Sequence, residues 1–185
     1  METPPQPVIN DFEPKHFLAS LFAMAKAVLL SPRSFFDGMK TQGGFRNPLM
    51  FLMCCIIVHS LLAGLMVQNV AFMGRNLILG MVMPFVTAGL FLFFLTQFFR
   101  ASGTFEAAFR VNAYAGAISL LSWLPLVGLI LEFYRIYLLV VGLRATFSVK
   151  VSRAFLTVLM TLFTYMMLGA AIFHATGGRW PGAPS

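Results

Sequence analysis

Charge is scarce in this sequence. Only 10% of its 185 residues are Asp, Glu, Lys or Arg, and six are acidic. Soluble domains carry about 25% charged residues, whereas this chain is 59% hydrophobic with a mean hydropathy of +0.84. No soluble core of this length absorbs such a surplus, so lipid is the solvent for most of the chain. Cysteine is nearly lacking too. Cys54 and Cys55 are adjacent in an apolar run, where helical neighbours point apart, so a disulfide between them is geometrically poor and both read as small buried hydrophobes. METPPQPVINDFEP lacks the basic-then-apolar pattern of a cleaved signal, and the first span is expected to act as an uncleaved anchor. HExxH, GxSxG, a Gly-rich phosphate loop and a carboxylate pair at working spacing are all missing, and Ser119 and Ser122 show no nearby base. No enzymatic activity and no cofactor are therefore expected. A net charge of +7 would point to nucleic acid in a soluble protein. Here the basic residues flank apolar runs, so bilayer orientation and anionic headgroups account for them, and nucleic acid is not an expected partner.

What is present is a series of long apolar runs. Residues 1–14 are proline-rich and polar, and are expected to be disordered. Residues 15–46 read as amphipathic cytoplasmic helices at the interface. In KHFLASLFAMAKAVLL, Phe17, Leu18, Leu21, Phe22, Ala25, Val28 and Leu29 share one helical arc, opposite Lys15, Ala19, Ala23 and Lys26. Such a helix lies in the interface or packs on its neighbours as core. Ser31-Pro32 stops it and starts a short helix presenting Phe35, Phe36 and Met39 to the membrane side. Residues 47–176 then hold five expected spans, opened by the Asn47-Pro48 cap: about Pro48–Phe72, Leu77–Phe99 after the turn MGRN, Thr104–Leu124, Leu126–Phe147 after a tight turn at PLVG, and Ala154–Ala175. Pro84 predicts a kink in the second. The third must begin early enough to carry Arg110, because its clean apolar part is shorter than the roughly 20 residues a bilayer needs. Residues 177–185 form a tail. The fold class is thus an all-α integral membrane protein, a five-helix bundle behind an amphipathic interfacial helix.

Lysine and arginine set the orientation. Lys15, Lys26, Arg33, Lys40, Arg46, then Arg100 and Arg110, then Arg144, Lys150 and Arg153 share one side if there are five spans. Only Arg75 and Arg179 lie on the other. Positive-inside places the N-terminus in the cytoplasm and the C-terminus outside. A four-span arrangement with a re-entrant third segment splits the basic loops and fits worse.

Two constellations carry charge into or near the membrane. Glu106 and Arg110 are i,i+4 with the acid first, the favourable order at a helix start. They read either as a self-neutralising pair or as a cytoplasmic docking patch, with Asn112 and Tyr114 supplying polar contacts inside the bundle. Glu132 and Arg135 stand i,i+3 within span four, where each charge costs about 2.5–3.5 kcal/mol. They mark a polar cavity or ion path, or form a pair that fixes helix rotation with Tyr134 and Tyr137 around it. His59, one turn after Cys55 in span one, lacks the further ligands that a structural zinc needs, and reads as a buried hydrogen-bonding histidine. The three make a candidate intramembrane polar site. Ala113, Gly116 and Ala117, Gly142, and Gly169-Ala170-Ala171 allow close helix approach, and leave a homo-oligomer open as an option.

The order SPRSFFDGM, the span after NPL, GTFEAAFRVNAYA, then EFYRIYLLVVGLRATFSV before a short basic turn resembles the Yip family, whose eukaryotic founders interact with Ypt/Rab GTPases. The resemblance covers about residues 28–172. It implies a five-helix membrane domain with a cytoplasmic N-terminus, and singles out Pro32, Phe35, Phe36, Gly103, Glu106, Arg110, Tyr114, Tyr137 and Gly142 as family-pattern positions. The acidic Tyr-Gly-Pro-type motifs of eukaryotic members are missing, so the chain looks like a bacterial relative. The resulting expectation is a non-enzymatic bacterial inner-membrane protein with a membrane-protein partner, acting as an accessory or scaffolding subunit of a transport or trafficking system. The alternative is a small transporter or channel built on Glu132 and Arg135.

Overall fold

The computed structural model describes Phe12 and residues 17–175. Among these residues seven α-helices follow in order: α1 (Phe17–Leu30), α2 (Pro32–Asp37), α3 (Arg46–Val67), α4 (Val70–Phe99), α5 (Phe105–Ala115), α6 (Pro125–Phe147) and α7 (Val151–Ala175), with a 3-10 segment, Gly116–Leu120, continuing α5. Among the described residues, α3, α4, α6 from Leu126 and α7 are long and apolar enough to cross a membrane.

The expected third span takes a different form. Thr104 caps α5 through its hydroxyl, which accepts from the Ala107 amide at 3.2 Å, so Arg110 is indeed carried into the helix. The α-helix then stops after 11 residues, tightens into the 3-10 segment and unwinds over 121–124. Nearly every residue of Ala107–Ile118 is buried. The run AAFRVNAYAGA offers small side chains at close spacing, which lets α3, α4 and α6 crowd around it. Gly142 of α6 approaches so closely that a Cβ there would stand 2.6 Å from Val111 and 3.1 Å from Phe36.

Other boundaries move for local reasons. The α3–α4 turn falls at Gln68-Asn69 rather than at MGRN. Gln68 adopts φ 51°, and the Asn69 side chain caps α4 by accepting from the Phe72 amide at 3.0 Å, so MGRN lies inside the helix. PLVG opens α6, and the turn precedes it. Ser31 makes no side-chain cap, although Pro32 occupies the first turn of α2 as expected. α3 opens at Arg46, one residue ahead of the expected cap. Phe35, Phe36 and Met39, expected at the membrane side, are buried instead; the Phe35 ring meets Tyr114 edge-on at 5.3 Å.

α1 packs Leu21, Met24, Ala25 and Val28 on the bundle while Leu18, Phe22, Lys26 and Leu30 face outward. Its buried arc is therefore narrower than the sequence pattern implied, and Leu18 and Phe22 leave it. Phe12, inside the stretch expected to be disordered, is fully buried with its ring 6.1 Å from Phe51. The rest of residues 1–14, Lys15 and the 177–185 tail lie outside the described residues.

Contacts between turns define one end of the bundle. The Gly44 amide donates to Glu106 at 2.7 Å, and Phe147 lies directly against Gly103. The turns before α3, α5 and α7 therefore gather there, with Lys40, Arg46, Arg100, Arg144, Lys150 and Arg153 exposed around them. This is the basic end. The Gln68-Asn69 turn lies at the far end, reached by the length of α3.

Candidate functional site

The basic end holds a buried knot. Arg110 is fully buried. Its Nε donates to Glu106 Oε1 at 3.1 Å, its Nη2 to the Gly44 carbonyl at 2.8 Å and its Nη1 to the Lys40 carbonyl at 3.4 Å. Glu106 Oε1 also accepts the Gly44 amide. One guanidinium, forked and always charged, straps the loop ahead of α3 onto α5. Gly43, at φ 133°, leaves just enough room, since a Cβ would stand 3.1 Å from Nη2. Asn112 and Tyr114 are buried as well: Asn112 Nδ2 donates to the Pro84 carbonyl at 3.2 Å, and the Tyr114 ring sits 5.4 Å from Phe51. Glu106 and Arg110 thus form the expected ion pair at the helix start, at 3.1 Å, with Arg110 buried under the loop and Glu106 partly exposed, while Asn112 and Tyr114 make their contacts inside the bundle.

The family-pattern positions surround the same region. Pro32, Phe35 and Phe36 are buried in α2, Gly103 abuts Phe147, and Gly142 abuts Phe36. Tyr137 lies further along α6, half-exposed and stacked on Tyr134 at 5.6 Å, while the Tyr134 hydroxyl donates to the Leu29 carbonyl at 2.6 Å.

The second constellation is brought together. His59, Glu132 and Arg135 line a single cavity of about 290 Å³. Helical rise explains why. His59 lies eight residues before the end of α3 and Glu132 seven residues after the start of α6, so both stand about 10–12 Å from the far end. Asn76, six residues into α4, falls at about 9 Å and lines the same space. The wall is completed by Ser119 and Ser122, at and just past the end of the 3-10 segment.

Glu132 and Arg135 make a loose pair at 3.8 Å, with side chains 57% and 37% exposed. This is longer than a hydrogen bond, so each keeps most of its capacity for another partner. A smaller cavity of about 180 Å³ shares Thr87, Glu132 and Arg135 with the first and adds Asn112, Thr161 and Tyr165. There Thr87 Oγ1 lies 2.7 Å from the Tyr165 hydroxyl. The Asn112 amide is oriented by its bond to Pro84, and its Oδ1 is buried without a partner among the described residues.

His59 Nδ1 lies 3.1 Å from the Ser119 carbonyl and 3.3 Å from Ser122 Oγ. The sequence shows no base near these serines; the fold brings an imidazole beside them. A carbonyl only accepts, so Nδ1 carries a hydrogen there. A histidine that donates toward Ser122 is not positioned to take its proton, and the pair is not an activated nucleophile. No group of three or more His, Cys, Asp or Glu able to hold a metal occurs among the described residues. Sequence reading found the charges and His59 but not Asn76, Thr87 or Tyr165. An isolated amide or hydroxyl in an apolar helix carries no pattern until the helices are docked.

Four long apolar helices around a buried short one, with ionisable groups in a cavity at membrane depth, define an integral, all-helical membrane protein. The Yip1 domain matches residues 26–182, and the chain belongs to that family. No curated protein and no solved structure matches it.

Proposed function

We propose that the protein is a non-enzymatic bacterial inner-membrane protein that binds a small polar ligand in the cavity around His59, Glu132 and Arg135, as a small transporter does. The observation that carries this reading is the convergence of those three residues, from two helices, on one cavity at one depth. Ion pairs kept for structure alone are better served by a dry interface, whereas Glu132 and Arg135 keep much of their surface open. The unwound backbone at 121–124 supports a wet cavity, because irregular backbone at membrane depth survives where it is buried in protein or lines water. His59, Asn76 and Glu132 lie about 9–12 Å by helical rise from the far end, which suits a site reached from that side.

The α5 and 3-10 stretch serves in this reading as the third of five passes, within a membrane domain spanning 47–176. The basic end faces the cytoplasm, together with the N-terminus, and the C-terminus lies outside. Thiol labelling tests the wet cavity. With Cys54 and Cys55 replaced by alanine, Ser122→Cys should react with a membrane-impermeant charged thiol reagent added from outside, and not from the cytoplasmic side. No reaction from either side would sink the reading.

A second reading, an accessory or scaffolding subunit of a transport or trafficking system, is favoured by an almost wholly apolar groove of about 300 Å³ lined by Phe94, Leu159, Met160, Phe163 and Thr164. It faces outward between α4 and α7, where a partner's membrane helix can pack. Crosslinking in native membranes followed by mild-detergent purification should then recover a partner, and recovery of the isolated protein alone counts against it.

A further inference from the structure

We propose that the cavity takes a zwitterion in which a primary ammonium stands next to an oxyanion. That chemistry is shared by the phosphoethanolamine headgroup of a lipid and by free phosphoethanolamine in solution. The proposal rests on the ligand-binding reading above and names the ligand's class.

Opposite charges are offered side by side. Arg135 presents a guanidinium, a bidentate donor for phosphate or carboxylate. Glu132, 3.8 Å away, presents a carboxylate that needs donors. The pair stands at the junction of the two cavities, since both residues line each. A simple anion meets Glu132 as a like charge, a simple cation meets Arg135, and a neutral solute leaves both ions desolvated without compensation. A ligand carrying both charges satisfies both.

The remaining polar groups sharpen the ammonium side. Glu132, which lines both cavities, and the unpartnered Oδ1 of Asn112 in the smaller one are acceptors. Acceptors of this kind want N–H groups, which a primary ammonium has and a quaternary one lacks. Quaternary ammonium sites are instead built as cages of aromatic faces; no Trp, Tyr or Phe lines the larger cavity, and the smaller one has only Phe91 and Tyr165. Its volume of about 290 Å³ sits at the lower end of small-molecule pockets, about 300–1,000 Å³, a size for a headgroup rather than a whole lipid.

The test uses the full-length protein in a neutral maltoside detergent and isothermal titration with two panels. The soluble panel is phosphoethanolamine, phosphocholine and glycerol phosphate; the lipid panel is the short-chain phosphatidyl-ethanolamine, -choline and -glycerol. Ethanolamine probes should bind about tenfold or more tightly than their choline and glycerol counterparts, a gap of about 1.4 kcal/mol. Glu132→Gln should erase that preference, and Arg135→Gln should abolish binding of every probe. Tighter binding in the lipid panel assigns the site to a headgroup, and equal binding to a free solute. Equal affinity for all three headgroups overturns the zwitterion class even if the variants lose binding, in which case the cavity reading stands. Failure of every ethanolamine probe also overturns the class, and the cavity reading falls with it only if Ser122→Cys is unlabelled from both sides. The wild-type panels decide the class even if a variant fails to fold.

Discussion

Arg110 shows how much one side chain can organise when it is buried with its partners. Its guanidinium serves a carboxylate and two carbonyls from a loop some 66–70 residues away in the chain. Breaking a buried pair from one side is costly, at about 3–5 kcal/mol. Arg110→Met, which removes the guanidinium from Glu106 and from both loop carbonyls, should therefore lower the melting temperature in detergent more than Glu106→Gln, which leaves the bonds to the Lys40 and Gly44 carbonyls in place. An Arg110→Met variant that melts with the wild type would refute the clamp. Gly43→Ala should also lower the melting temperature, through a φ of 133° and the crowding at Nη2, and by more than Gly44→Ala, which carries the strain of φ 86° but whose Cβ meets nothing within 4 Å. The i,i+4 spacing made the pair legible from the sequence. The loop that completes it was not legible, because backbone carbonyls have no sequence signature.

At the scale of elements, close approach decides which glycines matter. A Cβ at Gly142 would press on Val111 and Phe36, while one at Gly169 of α7 meets nothing. Gly142→Val should reduce the monodisperse yield in size-exclusion chromatography sharply, and Gly169→Val should leave it unchanged. Equal effects would mean that the α5–α6 contact is not tight. Asn69 gives a second test, since its side chain holds the first turn of α4. Asn69→Ala should cost about 1 kcal/mol, the usual worth of such a cap, read as a modest shift in denaturant unfolding. The α3–α4 boundary was misplaced in the sequence reading because hydrophobicity runs through the turn. The actual signal was one asparagine, and MGRN looked the better break because it holds glycine and a charge.

For the whole molecule, the number of crossings turns on α5 and the 3-10 segment. Four helices meet the length for a span. The α5 and 3-10 stretch together rise about 26 Å, from 11 residues at 1.5 Å and five at 2.0 Å, close to the roughly 30 Å of a hydrocarbon core. Being shielded from lipid by its neighbours, it need not be long or apolar all round. Periplasmic and cytoplasmic reporters fused after Ala175 distinguish five passes from four. Five place the C-terminus opposite the N-terminus, so an externally active reporter should report and a cytoplasmic one should stay dark.

Composition alone settled the solvent: with so few charges and so many apolar residues, only lipid suits the chain, and the long runs became helices because a bilayer leaves the backbone no other partner. The intramembrane charges and the family likeness were also legible, since both reside in residue identity and order. Tertiary structure decided the rest. It closed a loop over Arg110, made the stretch after it a buried core, and set His59, Asn76, Ser122, Glu132 and Arg135 around one space. The reason is physical: which polar groups face one another depends on helix rotation and depth, set by packing among segments far apart in the chain, and no local pattern encodes either.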